Sequence, residues 1–338
     1  MEEKATTKHG WRIIFFVLLM LSQCRENESP FGRHFELIPD YTNNEVKVGM
    51  VFSIAANSKY FAVPDKNRGL IHVFDHEGKL VNSYGNTEGQ PTRFISPDIL
   101  FMDETHIWIW DTGKNSVYQY STEGRLLKRV GLNASVGYKK FCVHEGYLYF
   151  HSNTDFPVLQ IDPVSGALVK GFGEFYPPYD QPAGKSFNNL NGYILPFRGG
   201  IMTVNAQHAE WCVYDPQGNL LEKKQLPELE ACFQVAVGHY LSNLKGDPDV
   251  NTAVINIMDA AVDRNRLFLL IVPVPNNPQI DGGNTILVVN PASGKILNNI
   301  TLPGKMYFSF AVKEGICLAY NHNDARFEFF KLPDKIYR

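Results

Sequence analysis

The side chains able to do chemistry are scattered along this chain rather than gathered in a motif. Of its five cysteines, Cys142, Cys212, Cys232 and Cys317 follow no zinc-binding or redox spacing. Three of these four fall inside apolar strand patterns, where a small buried thiol is the expected reading. No Gly-x-Ser-x-Gly elbow, His-Glu-x-x-His helix or glycine-rich phosphate loop occurs. What stands out is a set of basic and imidazole groups, Arg68, Arg93, Lys114, His151, His208, His322 and Arg326, and an aromatic trio, Phe175, Tyr176 and Tyr179. Gathered on one surface, such groups bind a glycan or a peptide; scattered, they are solvated loop residues. With 32 Lys and Arg against 35 Asp and Glu the net charge is −3 and no basic stripe is present, which argues against a nucleic-acid partner. Whether these residues meet depends on the elements that carry them.

Those elements repeat. The segment VFDHEGKLVNSYG at 73–85 recurs at 119–131, 160–173, 213–226 and 288–302. Each copy is an alternating strand, an Asp, Ser or Asn, a glycine and a second alternating strand. That is hairpin chemistry: the short polar side chain bonds the backbone just ahead, and glycine takes the φ > 0 position. Upstream of each hairpin lie two more short apolar strands, seen best in 98–120. There Asp65, Asp111, Asn153, Asn205 and Asn321 hold equivalent positions, suited to shaping a turn. The unit is therefore a four-stranded antiparallel sheet, and six of them fit the chain. The turn glycines Gly78, Gly124, Gly166, Gly218 and Gly294 lie 46, 42, 52 and 76 residues apart, against about 40–50 for a propeller blade. The fifth unit departs from the pattern with a Pro-rich loop, 273–284.

The turn Asp111–Val117 (DTGKNSV) closely resembles that of NHL-type repeats, and GNTEGQPTRFISP at 85–97 resembles the linker between their blades. Nearly end to end, the chain from residue 24 resembles the six-bladed β-propeller lipoproteins of Gram-negative bacteria. The expected fold is thus all-β, a ring of six four-stranded blades. The sixth unit has three strands of its own, and the lone alternating strand Phe35–Ile38 is predicted to supply the fourth, burying both open edges. The wide last gap holds an amphipathic helix, about 228–244, with Leu229, Cys232, Phe233, Ala236, Val237, Tyr240, Leu241 and Leu244 on one face. It reads either as a lid or partner surface, or as a plug over that end of the ring.

In such a blade the loops between second and third strands share a face with the inter-blade loops. That face would collect Arg68, Arg93, Lys114, His151, Phe175, Tyr176, Tyr179, His208, His322 and Arg326, and a ligand would meet the central channel there. The reading favoured is a non-catalytic binding or scaffold module for an envelope protein or a glycan, with no cofactor. The alternative comes from resemblance to lactonase-type propellers, which hold a metal on inner-strand carboxylates and amides. It implies calcium held by Asp98, Asn188 or Asn189, and Asn256, for a hydrolase or lyase. The other inner strands start VFS, KKF and YFSF, which offer no ligands.

Residues 1–23 read as an export signal. Lys4, Lys8 and Arg12 precede an unbroken apolar run, Ile13–Leu21, which is within the 7–15 residues of a signal core and short of the roughly 20 that span a bilayer. Leu21-Ser22-Gln23-Cys24 resembles the lipobox of bacterial lipoproteins, with Gln23 where a small residue is usual. The resemblance implies cleavage before Cys24 and a diacylglyceryl group on its thiol. The tract Arg25-Glu26-Asn27-Glu28 resembles the acidic stretch that sends some such proteins to the cell surface, so an outer-membrane anchor is expected, with residues 24–33 as tether and 34–338 as propeller.

Overall fold

The computed structural model describes residues 31–86, 93–137, 139–152, 154–175, 192–243, 256–272, 284–304 and 306–338, with backbone alone for 236–243. They form six sheets: in blades one to five, four consecutive antiparallel strands run from the ring centre outward, and in blade six three such strands are followed outward by one from the N-terminal segment. Blade two is typical: Pro97–Met102 lies innermost, followed by His106–Asp111, Ser116–Ser121 and Leu126–Gly131. One apolar cluster fills each seam between neighbouring blades. This follows from strand periodicity, because alternate side chains point to opposite faces and an interior blade is covered on both. Cys142 and Cys212 sit in the seam between blades three and four, and Cys317 in that between five and six. All are reduced and buried, and burial alone pushes the Cys142 thiol far above its ordinary range, so these are packing residues.

The hairpin chemistry expected from the repeats is present. In blade one Asp75 Oδ1 accepts the backbone N–H of Glu77 at 3.0 Å and of Lys79 at 2.9 Å, and Gly78 has φ +84°. A side chain at Gly78 would also strike the Tyr41 ring.

Ring closure differs from expectation in the segment used. Two N-terminal strands, β1 (Arg33–Glu36) and β2 (Tyr41–Asn43), precede blade one. The strand that completes blade six is β2, with Tyr41 opposite Phe329 and Asn43 opposite Phe327. The expected Phe35–Ile38 segment instead contributes its first two residues to β1, which pairs in parallel with the outer strand of blade five, Arg33 opposite Asn298 through Glu36 opposite Thr301. Ile38 is left exposed. The alternation that singled out Phe35–Ile38 is real, but the open edge of blade five, Asn298 to Thr301, takes it up. β2 shows no alternation and is specified by capping instead. Buried Asn43 accepts the N–H groups of Glu45 and Val46, both at 3.1 Å, and donates to the Gly78 carbonyl.

The inserted helix, α1, runs from Pro227 to Asn243. Proline is pre-set for a first turn, and Glu228 and Glu230 complement the N-terminal dipole. Leu229 and Phe233 are fully buried in the seam of blades four and five, with Cys232 against it. The other expected members of this face, Ala236 to Leu244, have side chains outside the described residues.

Candidate binding face at the loops between strands

The equivalent Asp and Asn residues are turn builders. Asp65 receives the Arg68 N–H at 3.2 Å, Asn205 those of Gln207 and His208, and Asn321 those of Asn323 and Asp324. Asp111 reaches further: its two oxygens take the Ile95 and Ser96 N–H groups, both at 2.9 Å, and so fix the linker into blade two. Asn153 lies outside the described residues.

Most of the basic and imidazole candidates are engaged within the protein. Arg68 Nε pairs with buried Asp65 at 2.7 Å, and its other end donates to the Lys47 carbonyl. Lys114 donates to the Arg93 carbonyl. Arg326 joins Glu328 at 2.7 Å and Asp324 at 3.2 Å, while Tyr307 holds the other Glu328 oxygen at 2.6 Å. His208 Nδ1 meets Glu230 of α1 at 3.0 Å, and the second Glu230 oxygen takes the Ala209 N–H at 2.8 Å. This pair bolts the helix to the loop face of blade four, the side expected for it. His151 is buried beside Gly192, and desolvation pushes its pKa down to about 4. It lines a small recess with Pro157, Glu174 and Tyr214. Phe175 is half-buried; Tyr176 and Tyr179 lie outside the described residues.

A different group of side chains gives this face its relief. Met50, Phe52, Ile95 and Met306 are exposed. The Phe52 and Phe308 rings stack at 6.0 Å, the Phe308 ring lies 4.6 Å from His322, and His322 packs edge-on to Tyr320 at 4.7 Å. Burial lowers the His322 pKa, favouring a neutral ring at the back of the stack. Phe52 and Phe308 stand just ahead of the innermost strands of blades one and six, Ala55–Ala56 and Phe310–Lys313. Sequence reading had a signal for them in the matched runs MVFS at 50–53 and MYFS at 306–309. The two runs carry no charge and no metal ligand, and only closure of the propeller brings their rings together. The serines of both runs are structural: Ser53 accepts the Leu100 N–H at 3.0 Å, and Ser309 donates to Asp259 at 2.7 Å.

The central channel is crossed at this end. Lys140, entering from blade three, places its ammonium 2.9 Å from Asp259 of blade five and donates to the Ala260 and Phe310 carbonyls at 3.0 and 3.1 Å. All three ammonium protons have acceptors, as a buried charge requires. A cavity of about 150 Å³ extends from Lys140 toward the opposite, hairpin end, walled by Phe101, Met102, Pro196, Val262 and Lys313 among others. None of the loop-face candidates lines it.

Of the residues considered for calcium, Asp98 is held by Lys66 at 3.0 Å, Ser96 at 2.8 Å and Thr112. The Asn256 amide donates to the Gln207 carbonyl at 2.6 Å. Asn188 and Asn189 lie outside the described residues. Among the described residues no group of three or more His, Cys, Asp or Glu is placed to hold a metal ion.

No curated protein matches the chain in sequence. Among solved structures it is similar to a streptogramin B lyase, with 12% identity, 87% of each chain covered and a TM-score of 0.48. It is also similar to the virginiamycin B lyase from Staphylococcus aureus (13%, 83% of this chain and 80% of that one, TM-score 0.46) and to BamB from Moraxella catarrhalis (9%, 84% and 86%, TM-score 0.43). A family model described as a 6-bladed beta-propeller matches residues 18–157, and with six four-stranded blades around one channel the chain is a six-bladed β-propeller.

Proposed function

We propose that this propeller is a non-catalytic recognition module of the bacterial cell envelope, held at the outer membrane by a lipid on Cys24, and that it binds an envelope protein or a glycan through the loop face. The observation that carries the reading is exposed Phe52 stacked on the Phe308–His322 pair, with Met50 and Met306, each two residues ahead of one of the stacked phenylalanines, exposed as well. Isolated exposed apolar residues are ordinary, but an exposed aromatic stack set just ahead of two innermost strands favours a contact surface. Aromatic rings and methionines suit that work, the rings by stacking and the thioethers by adapting to shape. The charged residues of the same face are already spent on turns, linkers and the helix clamp, so they shape the surface more than they contact a partner. The test is capture from detergent-solubilised envelope fractions and on a glycan array, comparing the parent chain with Phe52→Ala plus Met306→Ala. Both side chains are exposed or half-exposed, so the melting temperature should hold while capture falls about tenfold, a loss of about 1.4 kcal/mol. Undiminished capture would move the site off this face.

A further inference from the structure

The outer strand of each of blades one to five carries a β-bulge three residues after its turn glycine. The extra residue is aliphatic each time: Val81, Leu127, Val169, Leu221 and Leu297. A bulge interrupts pairing on an exposed edge and re-aims the added side chain. In blade five the chain covers its own bulge: β1 continues along that edge, Gly32 lies against the Leu297 carbonyl, and Leu297 is half-buried. Blades three and four have no such cover among the described residues. There Val169 and Leu221 are 50% and 60% exposed, and on the same two hairpins Val164, Leu168 and Leu220 are 75%, 51% and 54% exposed. The hairpins are neighbours, since Lys170 donates to the Pro216 carbonyl at 3.1 Å.

The chain upstream of the described residues joins the ring at this end. Phe31 is buried in the seam of blades four and five, and Arg33 pairs with Asn298, the residue after the blade-five bulge. From Cys24 to Phe31 is a reach of at most about 25 Å. A lipid on Cys24 would therefore hold the bilayer beside the aliphatic rim. The local charges permit contact: Asp162 and Asp215 turn back onto their own hairpins, Glu222 faces Arg198, and Lys170 and Lys224 follow the aliphatics on their strands.

We propose that the hairpin rim of blades three and four is a membrane-docking patch. It sets its aliphatics at the boundary between headgroups and acyl chains, with lysines near the phosphates, and turns the aromatic loop face away from the membrane. The proposal takes its proximity argument from the reading of Cys24 as anchor, but the contact itself needs no acyl chain. The experiment uses the acyl-free chain, residues 24–338 with Cys24→Ser, floated with vesicles of phosphatidylethanolamine and phosphatidylglycerol. The parent should co-float. Val169→Glu with Leu221→Glu should weaken partition about tenfold or more, and Met50→Glu with Met306→Glu, at the other end of the ring, should leave it unchanged. Melting curves check that each variant is folded. A parent that does not co-float, or a rim variant that floats like the parent, overturns the proposal. So does a rim variant that changes the oligomeric state by light scattering without changing flotation, which would assign the patch to contact between copies. Acylation of Cys24 is decided separately by labelling, so failure of the patch leaves the anchor standing.

Discussion

Several titratable residues of this ring are buried, among them His72, His151, Lys140 and Asp259. His151 shows the consequence most clearly. Its ring is buried, and desolvation lowers its pKa from the usual 6.5 to about 4, so the folded protein holds it neutral. As pH falls, the unfolded chain takes up a proton first. The stability that the neutral ring contributes is therefore complete above about pH 6.5 and drains away as pH falls toward 4, by about 3 kcal/mol in all. Burial lowers the pKa of His72 and His322 as well, so they act in the same direction. In urea unfolding from pH 7 to 4, His151→Gln should flatten the fall of free energy with pH, whatever the substitution costs at neutral pH. An unchanged slope would place the acid sensitivity elsewhere. The Lys140–Asp259 link belongs to the same scale: removing one member of a buried pair strands the other, and here the stranded charge would lie across the channel.

At the scale of elements, the hairpins and the helix are local, while ring closure is not. β1 and β2 do different work despite lying side by side in sequence. β1 covers an outer edge that, among the described residues, has no added strand in blades one to four, whereas β2 completes a sheet whose third strand, Arg326–Lys331, would otherwise end the ring. Removing residues 31–38 should therefore cost stability but leave one cooperative urea transition. Removing 31–43 should abolish that single transition, because the blade-six edge and the Tyr41 contact on Gly78 and Phe329 are lost together. Circular dichroism and fluorescence transitions that still coincide in the longer deletion would show that blade six closes without β2. The alternation at Phe35–Ile38 was legible, but its partner was not. Parallel addition to blade five and antiparallel completion of blade six place similar demands on a short strand.

The whole molecule has two unlike ends. One bears the strand-connecting loops, α1 and the Phe52–Phe308–His322 group. The other bears glycine hairpins, the aliphatic bulges and the entry of the chain at Phe31. If Cys24 is the anchor, those ends acquire opposite addresses. Metabolic labelling with a fatty-acid probe should mark the parent chain and not Cys24→Ser, and the variant should leave the membrane fraction or accumulate unprocessed. Label retained by the variant would rule out this thiol.

The sequence by itself determined the blade and its repetition. The Asp, Asn, Ser and Gly of each turn act within a few residues of one another, so their spacing carries the hairpins and the six-fold count, and the apolar periodicity of the insertion carries the helix, expected at about 228–244 and found at Pro227–Asn243. Only the tertiary structure decided which edge each N-terminal strand joins, that Lys140 crosses from blade three to blades five and six, and that Phe52 meets Phe308. These contacts join residues more than a hundred positions apart. Closing the ring brings them together, and no local propensity or periodicity encodes which distant partner a given edge or ring will meet.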